Sequence, residues 1–305
     1  MKVISVVGYE KSGKSALVIA LVRKLSEFGT VGTIKHMGKQ SFNPAETDIG
    51  PHFDAGADMV IGITGTGAAG TGIQGAEIAD IKNLATPGIG LISFSRGRDL
   101  DDALDMFCDQ GLDFAVVEGF KESHLPKIVL GSLQDVSNVV FRVPEDIDIH
   151  EELTSSLIEM ALIQPDRYTL QALVRKIRKD PSIKKAGAIG TFTGIVREIA
   201  ESEITSRLDF EKYEPEATKI LDKIRKEIKH KEGIQEVLIH HKTGVIKAGE
   251  DIVYIVIAAA HRTELFPALS EAIERIKAEA PIWKKEFTEK EEFWVHDREQ
   301  DRRQA

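Results

Sequence analysis

Val3-Ile4-Ser5-Val6-Val7-Gly8-Tyr9-Glu10-Lys11-Ser12-Gly13-Lys14-Ser15 decides the fold of the first half of this 305-residue chain. Val3 to Val7 is a mostly apolar, β-branched run, the composition of a strand buried on both faces. It leads directly into G-x-x-x-x-G-K-S, the spacing of a phosphate-binding P-loop. Leu17, Leu21, Leu25 and Phe28 then recur at helical spacing until Gly29, so strand, loop and helix stand in the order the motif needs. The glycines let the backbone fold into a nest whose N–H groups face phosphates at the positive end of the helix. Lys14 adds a point charge toward the β and γ phosphates, and the Ser15 hydroxyl is placed to ligate Mg²⁺. Gly8, Lys11, Ser12, Gly13, Lys14 and Ser15 are therefore the expected nucleotide-binding set.

Working outward, further strands are predicted at 31–34, 58–61, 89–94, 114–117 and 127–130, with a helix over about 100–110. Apolar strands alternating with helices predict an α/β unit with a mostly parallel sheet. Val116-Val117-Glu118-Gly119 ends a strand in an acid, where P-loop proteins place a carboxylate that orients Mg²⁺ or its water; an acid closing an ordinary strand is the plainer alternative. Asp48 is either a second acid of that kind or a turn residue. The glycine-rich segment 64–72 is either a phosphate or partner loop or a plain surface loop. No N/T-K-x-D segment and no D-x-x-G switch occurs in residues 1–150, which argues against a Ras-like GTPase.

The length predicts two domains. Residues 1–150 carry a net charge of 13 − 20 = −7 and residues 151–305 one of 27 − 29 = −2. With no block of basic residues that would neutralise several phosphates at once, neither nucleic acid nor an anionic membrane is an expected partner. One cysteine, Cys108, excludes a disulfide framework and a cysteine-based zinc site within the chain, and fits a reducing cytoplasm. No stretch reads as a signal peptide or membrane span. The acidic, Pro-containing stretch near 144–148 and Gln164-Pro165-Asp166 place the boundary: a first domain over 1–145, a linker over 146–164 and a second domain over 165–300.

In the second half, amphipathic helices are predicted over 170–177, from Pro215 onward, and from Thr263 as N-cap to Ala280, with strands at 187–193, 207–213, 237–240 and 252–257. The notable cations sit where elements end: Arg197, His261, Arg262, Lys277 and Lys284. Individually each is an ordinary end-of-element charge. Together they suggest one cationic pocket for an anionic substrate, suited to charge that develops in acyl transfer. His240-His241 lacks any cysteine or i,i+4 histidine partner and reads as a strand-end pair, not a metal site. The second half contains no cysteine, so sulfur chemistry there would need a partner to carry the sulfur. The chain itself ends Arg303-Gln304-Ala305 and is not expected to be that carrier.

Gly8 to Ser15, Val31-Gly32-Thr33-Ile34-Lys35-His36, Asp54-Ala55-Gly56-Ala57-Asp58, Val116 to Lys121 and Pro126-Lys127-Ile128 together resemble the MobB family. These are GTP-binding adaptors of molybdopterin-guanine dinucleotide biosynthesis. The resemblance spans nearly all of residues 1–140. It implies GTP binding with weak hydrolysis, Mg²⁺ at Ser15 and Glu118, dimerisation, and work beside the enzyme that attaches GMP or one that inserts molybdenum. Lys35 and His36 match its I-K-H turn, either near the phosphates or as a plain strand end.

Thr191 to Arg197, Phe210-Glu211-Lys212-Tyr213, Ala260-His261-Arg262, Ile276-Lys277 with Ala280-Pro281-Ile282-Trp283-Lys284-Lys285-Glu286, and Phe293-Trp294-Val295 resemble MoaE, the catalytic subunit of molybdopterin synthase. The resemblance covers about 165–300 and implies an α/β hammerhead fold, a homodimer and no bound metal. The implied partner is a ubiquitin-like sulfur-carrier subunit whose C-terminal thiocarboxylate donates sulfur twice to cyclic pyranopterin monophosphate, giving the dithiolene. Arg197, His261 and Arg262 would then bind substrate, with Lys277 and Lys284 as the catalytic lysines. Two other classes compete with such an enzyme: a nucleotide-gated adaptor that docks the carrier without catalysis, and a small-molecule kinase in the first half.

Overall fold

Buried strands alternate with helices from the first residue of the chain, and the computed structural model arranges them in two units, Met1–Tyr168 and Thr169–Ala305. It describes residues 1–37, 50–64, 99–144, 149–200 and 203–295. The predicted strand at 89–94, Asp48 and segment 65–72 lie outside these.

The first unit runs β1 (Lys2–Gly8), α1 (Lys14–Leu25), β2 (Val31–Met37), α2 (Gly50–Asp54), β3 (Met59–Thr64), α3 (Asp99–Gln110), β4 (Phe114–Glu118), β5 (Lys127–Leu130), β6 (Val139–Val143) and α4 (Glu151–Leu162). Its strands form one parallel sheet in the order β3-β2-β4-β1-β5-β6. β1 therefore lies between β4 and β5, not beside β2. The C-terminal ends of β1, β2 and β4 are adjacent there, where open α/β sheets hold their ligands.

The segment expected to be a linker is not one. His150 caps α4 by accepting from the Leu153 amide (3.2 Å), and Leu153, Leu157, Ile158 and Ala161 enter the same core as Leu17 and Leu21 of α1. The spacing i, i+4, i+5, i+8 is one helical face. The first unit closes only at Tyr168, and the Thr169 hydroxyl then caps the next helix by accepting from the Ala172 amide. Truncating the fully buried Leu157 to alanine removes core, not tether, so it is expected to cost about 2–5 kcal/mol. Urea unfolding of the full chain measures this, and a loss below about 0.5 kcal/mol would restore the linker reading.

The second unit runs α5 (Leu170–Lys179), a 3-10 turn (Pro181–Lys185), β7 (Ala188–Ile195), β8 (Ile199–Ala200), β9 (Glu203–Lys212), α6 (Glu216–Lys229), β10 (Ile234–His241), β11 (Gly244–Lys247), β12 (Asp251–Ala259), α7 (Arg262–Glu279), β13 (Ile282–Thr288) and β14 (Glu292–Trp294). β10-β12-β7 form one antiparallel sheet, and β11-β9-β13-β14 a second, with β8 paired to the start of β9. Just after Arg197 the chain forms the short strand β8, with Ile199 opposite Ile204. α6 and α7 cover the first sheet and enclose Ile224, Ile228, Val237, Ile255, Ile257 and Ala272. α7 begins one residue before the expected cap. His261, not Thr263, is its N-cap, and it makes no side-chain capping bond.

Candidate functional site

In the first unit the loop has P-loop geometry. Gly13 sits at φ 87, in the left-handed region that favours glycine, and ends the loop as the N-cap of α1. At Gly8 a Cβ would lie 2.7 Å from Ser12 Oγ and 3.1 Å from the Leu130 carbonyl, so only glycine lets the chain pass. Lys14 Nζ is folded back on its own loop, donating to the carbonyls of Gly8 (3.1 Å) and Tyr9. Ser12 Oγ is buried and makes no hydrogen bond among the described residues.

β4 brings Glu118 to this loop. Ser15 Oγ donates to Glu118 Oε1 at 2.7 Å, and Glu118 is only 6% exposed. Strand register sets Lys35 of β2 beside Glu118, with Lys35 Nζ 3.6 Å from Oε2 and donating to Ser15 Oγ at 3.4 Å. Of the Lys35-His36 pair only the lysine faces the loop. Successive strand residues point to opposite faces, and His36 packs edge-on against Phe120 (5.0 Å between centroids).

One residue of this cluster was not among the expected set. His52, wholly buried in α2, has Nδ1 3.0 Å from Thr33 Oγ1 and Nε2 3.8 Å from Glu118 Oε2. A single histidine in a five-residue helix gives neither periodicity nor ligand spacing, so no local signal marks it. Beside the site, Lys127 is fully buried on β5, with Nζ donating to the carbonyls of Leu125 and Ser137 at 3.1 Å each and to that of Ser123. Burial pushes its ammonium below the usual lysine range. Cys108 is buried and its thiol is pushed up to about 11, chiefly by desolvation, so it is no nucleophile near neutral pH.

In the second unit the five cations do not all converge. Val196, Phe210, Ile246 and Ile282 share one small core, which brings Arg197, just after β7, to the strand that carries Lys284 opposite Phe210. α7 runs back along β12 and β7, so Lys277 in its last turn returns to this end. His261 and Arg262 lie at the other end. β7 and β12 pair from Ala188–Ala259 to Ile195–Asp251, and at about 3.3 Å per residue that ladder spans roughly 23 Å. The expectation of one cationic pocket within a chain is therefore corrected: Arg197, Lys277 and Lys284 share one end, and His261 and Arg262 the opposite one. All five side chains are exposed, and Lys277 has only a surface contact to Glu274 at 3.4 Å.

Lys212 lies on the same face of the β9–β13 ladder as Lys284. It pairs in register with Ile282, is pushed down by burial, and donates to the His241 carbonyl at 2.6 Å. His241, buried against Phe210, is pushed down to about 4 by desolvation and is neutral near pH 7. Its neighbour His240 stacks on Tyr254 (6.3 Å). Among the described residues no group of three or more His, Cys, Asp or Glu side chains is placed to hold a metal, and no helix is long and apolar enough to cross a membrane.

Fold and site define a P-loop α/β unit followed by an α+β unit with cations at its strand and helix ends. The family model "Molybdopterin guanine dinucleotide synthesis protein B" (MobB) matches residues 3–147, and the "MoaE protein" model matches residues 163–279. A Haloferax volcanii protein named "Probable molybdopterin synthase" is 41% identical over 203 residues, covering 66% of this chain and 76% of that one. The molybdopterin synthase catalytic subunit of Bacillus subtilis is 42% identical over 125 residues, 41% of this chain and 77% of that one. The Staphylococcus aureus molybdopterin synthase crystal structure is 38% identical over 36% of this chain and 81% of that one, with a TM-score of 0.35. The chain belongs to the molybdopterin synthase family of molybdenum cofactor biosynthesis, its second unit of the MoaE type and joined to a MobB-type first unit.

Proposed function

We propose that the second unit is the catalytic subunit of a molybdopterin synthase. It would take sulfur from the C-terminal thiocarboxylate of a ubiquitin-like carrier and place it on cyclic pyranopterin monophosphate, twice, to form the dithiolene. In each transfer a C–S bond would form on the pterin side as a C–O bond to the same carbon breaks, its oxygen leaving on the phosphate or as water, and the acyl–S bond of the carrier would break. Water supplies the oxygen that leaves the carrier a carboxylate.

What supports this reading is that Arg197, Lys277 and Lys284 lie toward one end of a unit that contains no cysteine. Exposed cations there suit an anionic substrate and the charge that develops on the acyl group, while the sulfur must arrive from outside. His261 and Arg262 would complete the substrate site from a second copy of the chain, because one chain holds them at the far end of the β7–β12 ladder.

The first unit would bind GTP with weak hydrolysis and assist guanine dinucleotide formation. Gly8, Lys11, Ser12, Gly13, Lys14 and Ser15 would hold the phosphates. Hard oxygen donors suit Mg²⁺, and Ser15 with Glu118 would hold it. When bound, the ion would neutralise phosphate charge.

The full chain, mixed with thiocarboxylated carrier and cyclic pyranopterin monophosphate, tests the enzyme directly. Dithiolene product with consumption of two carriers supports it, and carrier binding without product would leave an adaptor instead.

A further inference from the structure

We infer that Lys212 is a third lysine of the sulfur-transfer end, and that its ammonium pairs with the terminal carboxylate or thiocarboxylate of the carrier. The inference rests on the sulfur-transfer reading above and concerns the same site. In the antiparallel β9–β13 ladder Lys212 stands opposite Ile282, and Phe210 opposite Lys284. Lys212 and Lys284 are therefore diagonal neighbours on one face, their backbones about 7–8 Å apart.

Lys212 carries a shielded charge without a counter-ion. Its side chain is half-buried, and burial pushes its ammonium below the usual lysine range. Among the described residues no carboxylate forms an ion pair with it. Glu214 acts on it only through space, and the Glu214 carboxylate accepts from Thr218 Oγ1 at 3.0 Å. Glu286, farther along the same face of β13, accepts from Thr205 Oγ1. His241 beside it is uncharged near pH 7, and Lys242 Nζ lies over the Tyr254 ring at 5.4 Å. A buried ammonium is ordinarily paired or fully hydrogen-bonded. Lys127 of the first unit is the satisfied case, with three carbonyls as acceptors. Lys212 gives one N–H to the His241 carbonyl, at 2.6 Å, and has two left for a ligand.

Two anions would come to this end in the proposed reaction, the carrier's terminus and the pterin phosphate. The half-buried position favours the terminus. It arrives on the tip of a single peptide strand and can enter the corner between β9, β13 and the end of β10, whereas a phosphate fused to a ring system is better met by exposed cations such as Lys277 and Lys284. The desulfurated carrier ends in a carboxylate of the same charge, so the contact is measurable without the chemistry.

Calorimetric titration of the full chain with the desulfurated carrier, and with the same carrier ending in a carboxamide, tests this. The native chain is expected to bind the carboxylate form about tenfold or more tightly than the amide. Lys212→Gln keeps an N–H donor for the His241 carbonyl and drops the charge, and is expected to bring the two forms within about threefold of each other. A purely structural role would weaken both forms alike and keep the native ratio, which overturns the inference, as does a native chain that binds both forms equally. A ratio left intact while the KM for the pterin rises about tenfold would assign the ammonium to the phosphate and overturn it too. If the native chain binds neither form, the sulfur-transfer reading fails and takes this inference with it, an outcome distinct from equal binding. Should Lys212→Gln not fold, Lys212→Met keeps the reach of the stem without the charge and is read in the same way, and the native ratio needs no variant.

Discussion

Lys277→Ala and Lys284→Ala are each expected to lower dithiolene formation by about 10²-fold or more while leaving the melting temperature of the chain within a degree or two. Both lysines are exposed, and Lys277 makes only a 3.4 Å surface contact with Glu274, a pair that contributes little to stability. Neither packs into the core that holds their end of the unit together, where Val196, Phe210 and Ile282 meet. Their loss would therefore remove charge from the proposed substrate site and leave the scaffold. An ammonium that stabilises charge on the acyl group acts in the transition state, so the loss belongs in kcat and not only in KM. Arginine at either position would keep the charge but misplace the donor, and is expected to restore only part of the rate. Full turnover by Lys277→Ala would remove that residue from the site, and carrier consumption without product would make the lysines binding residues alone.

How much of this was legible beforehand depended on how local each feature is. The P-loop was fully legible because its strand, glycine loop and helix are contiguous and each position has its own chemical reason. Glu118 was legible as a strand-ending acid, but its partners were not. His52 and Lys35 reach it through the β2–β4 register and the placement of α2, 66 and 83 positions away in sequence. The misjudged linker shows the opposite failure. Pro144 and the acids around it looked like a boundary, and they masked the apolar face Leu153-Leu157-Ile158-Ala161 just downstream. In the second unit, end-of-element positions identified five cations, yet which end each one occupies is a matter of strand direction. Only the antiparallel pairing of β7 with β12 separates Arg197 from His261.

That separation yields the second large effect. Chains carrying Arg197→Ala and chains carrying His261→Ala with Arg262→Ala are each expected to be nearly inactive, and co-expressed together they are expected to recover about a quarter of native activity. Within one chain the two cation groups sit at opposite ends of a ladder of roughly 23 Å, too far apart for one small pterin phosphate to touch both. A site that needs all of them must draw Arg197, Lys277 and Lys284 from one copy and His261 and Arg262 from another. Among the described residues no strand pairs with the outer edge of β7, and with Phe192 and Ile195 exposed beside it this edge would give a second copy a strand and an apolar surface to meet. In a random mixture half the dimers pair one variant with the other. Each such dimer has one site with both defects and one with none, which gives about a quarter of the native sites. The fraction is diagnostic because defects confined to single-chain sites cannot complement. A mixture no more active than its separate components, with mixed dimers shown by differently tagged chains, would mean that His261 and Arg262 act outside the substrate site.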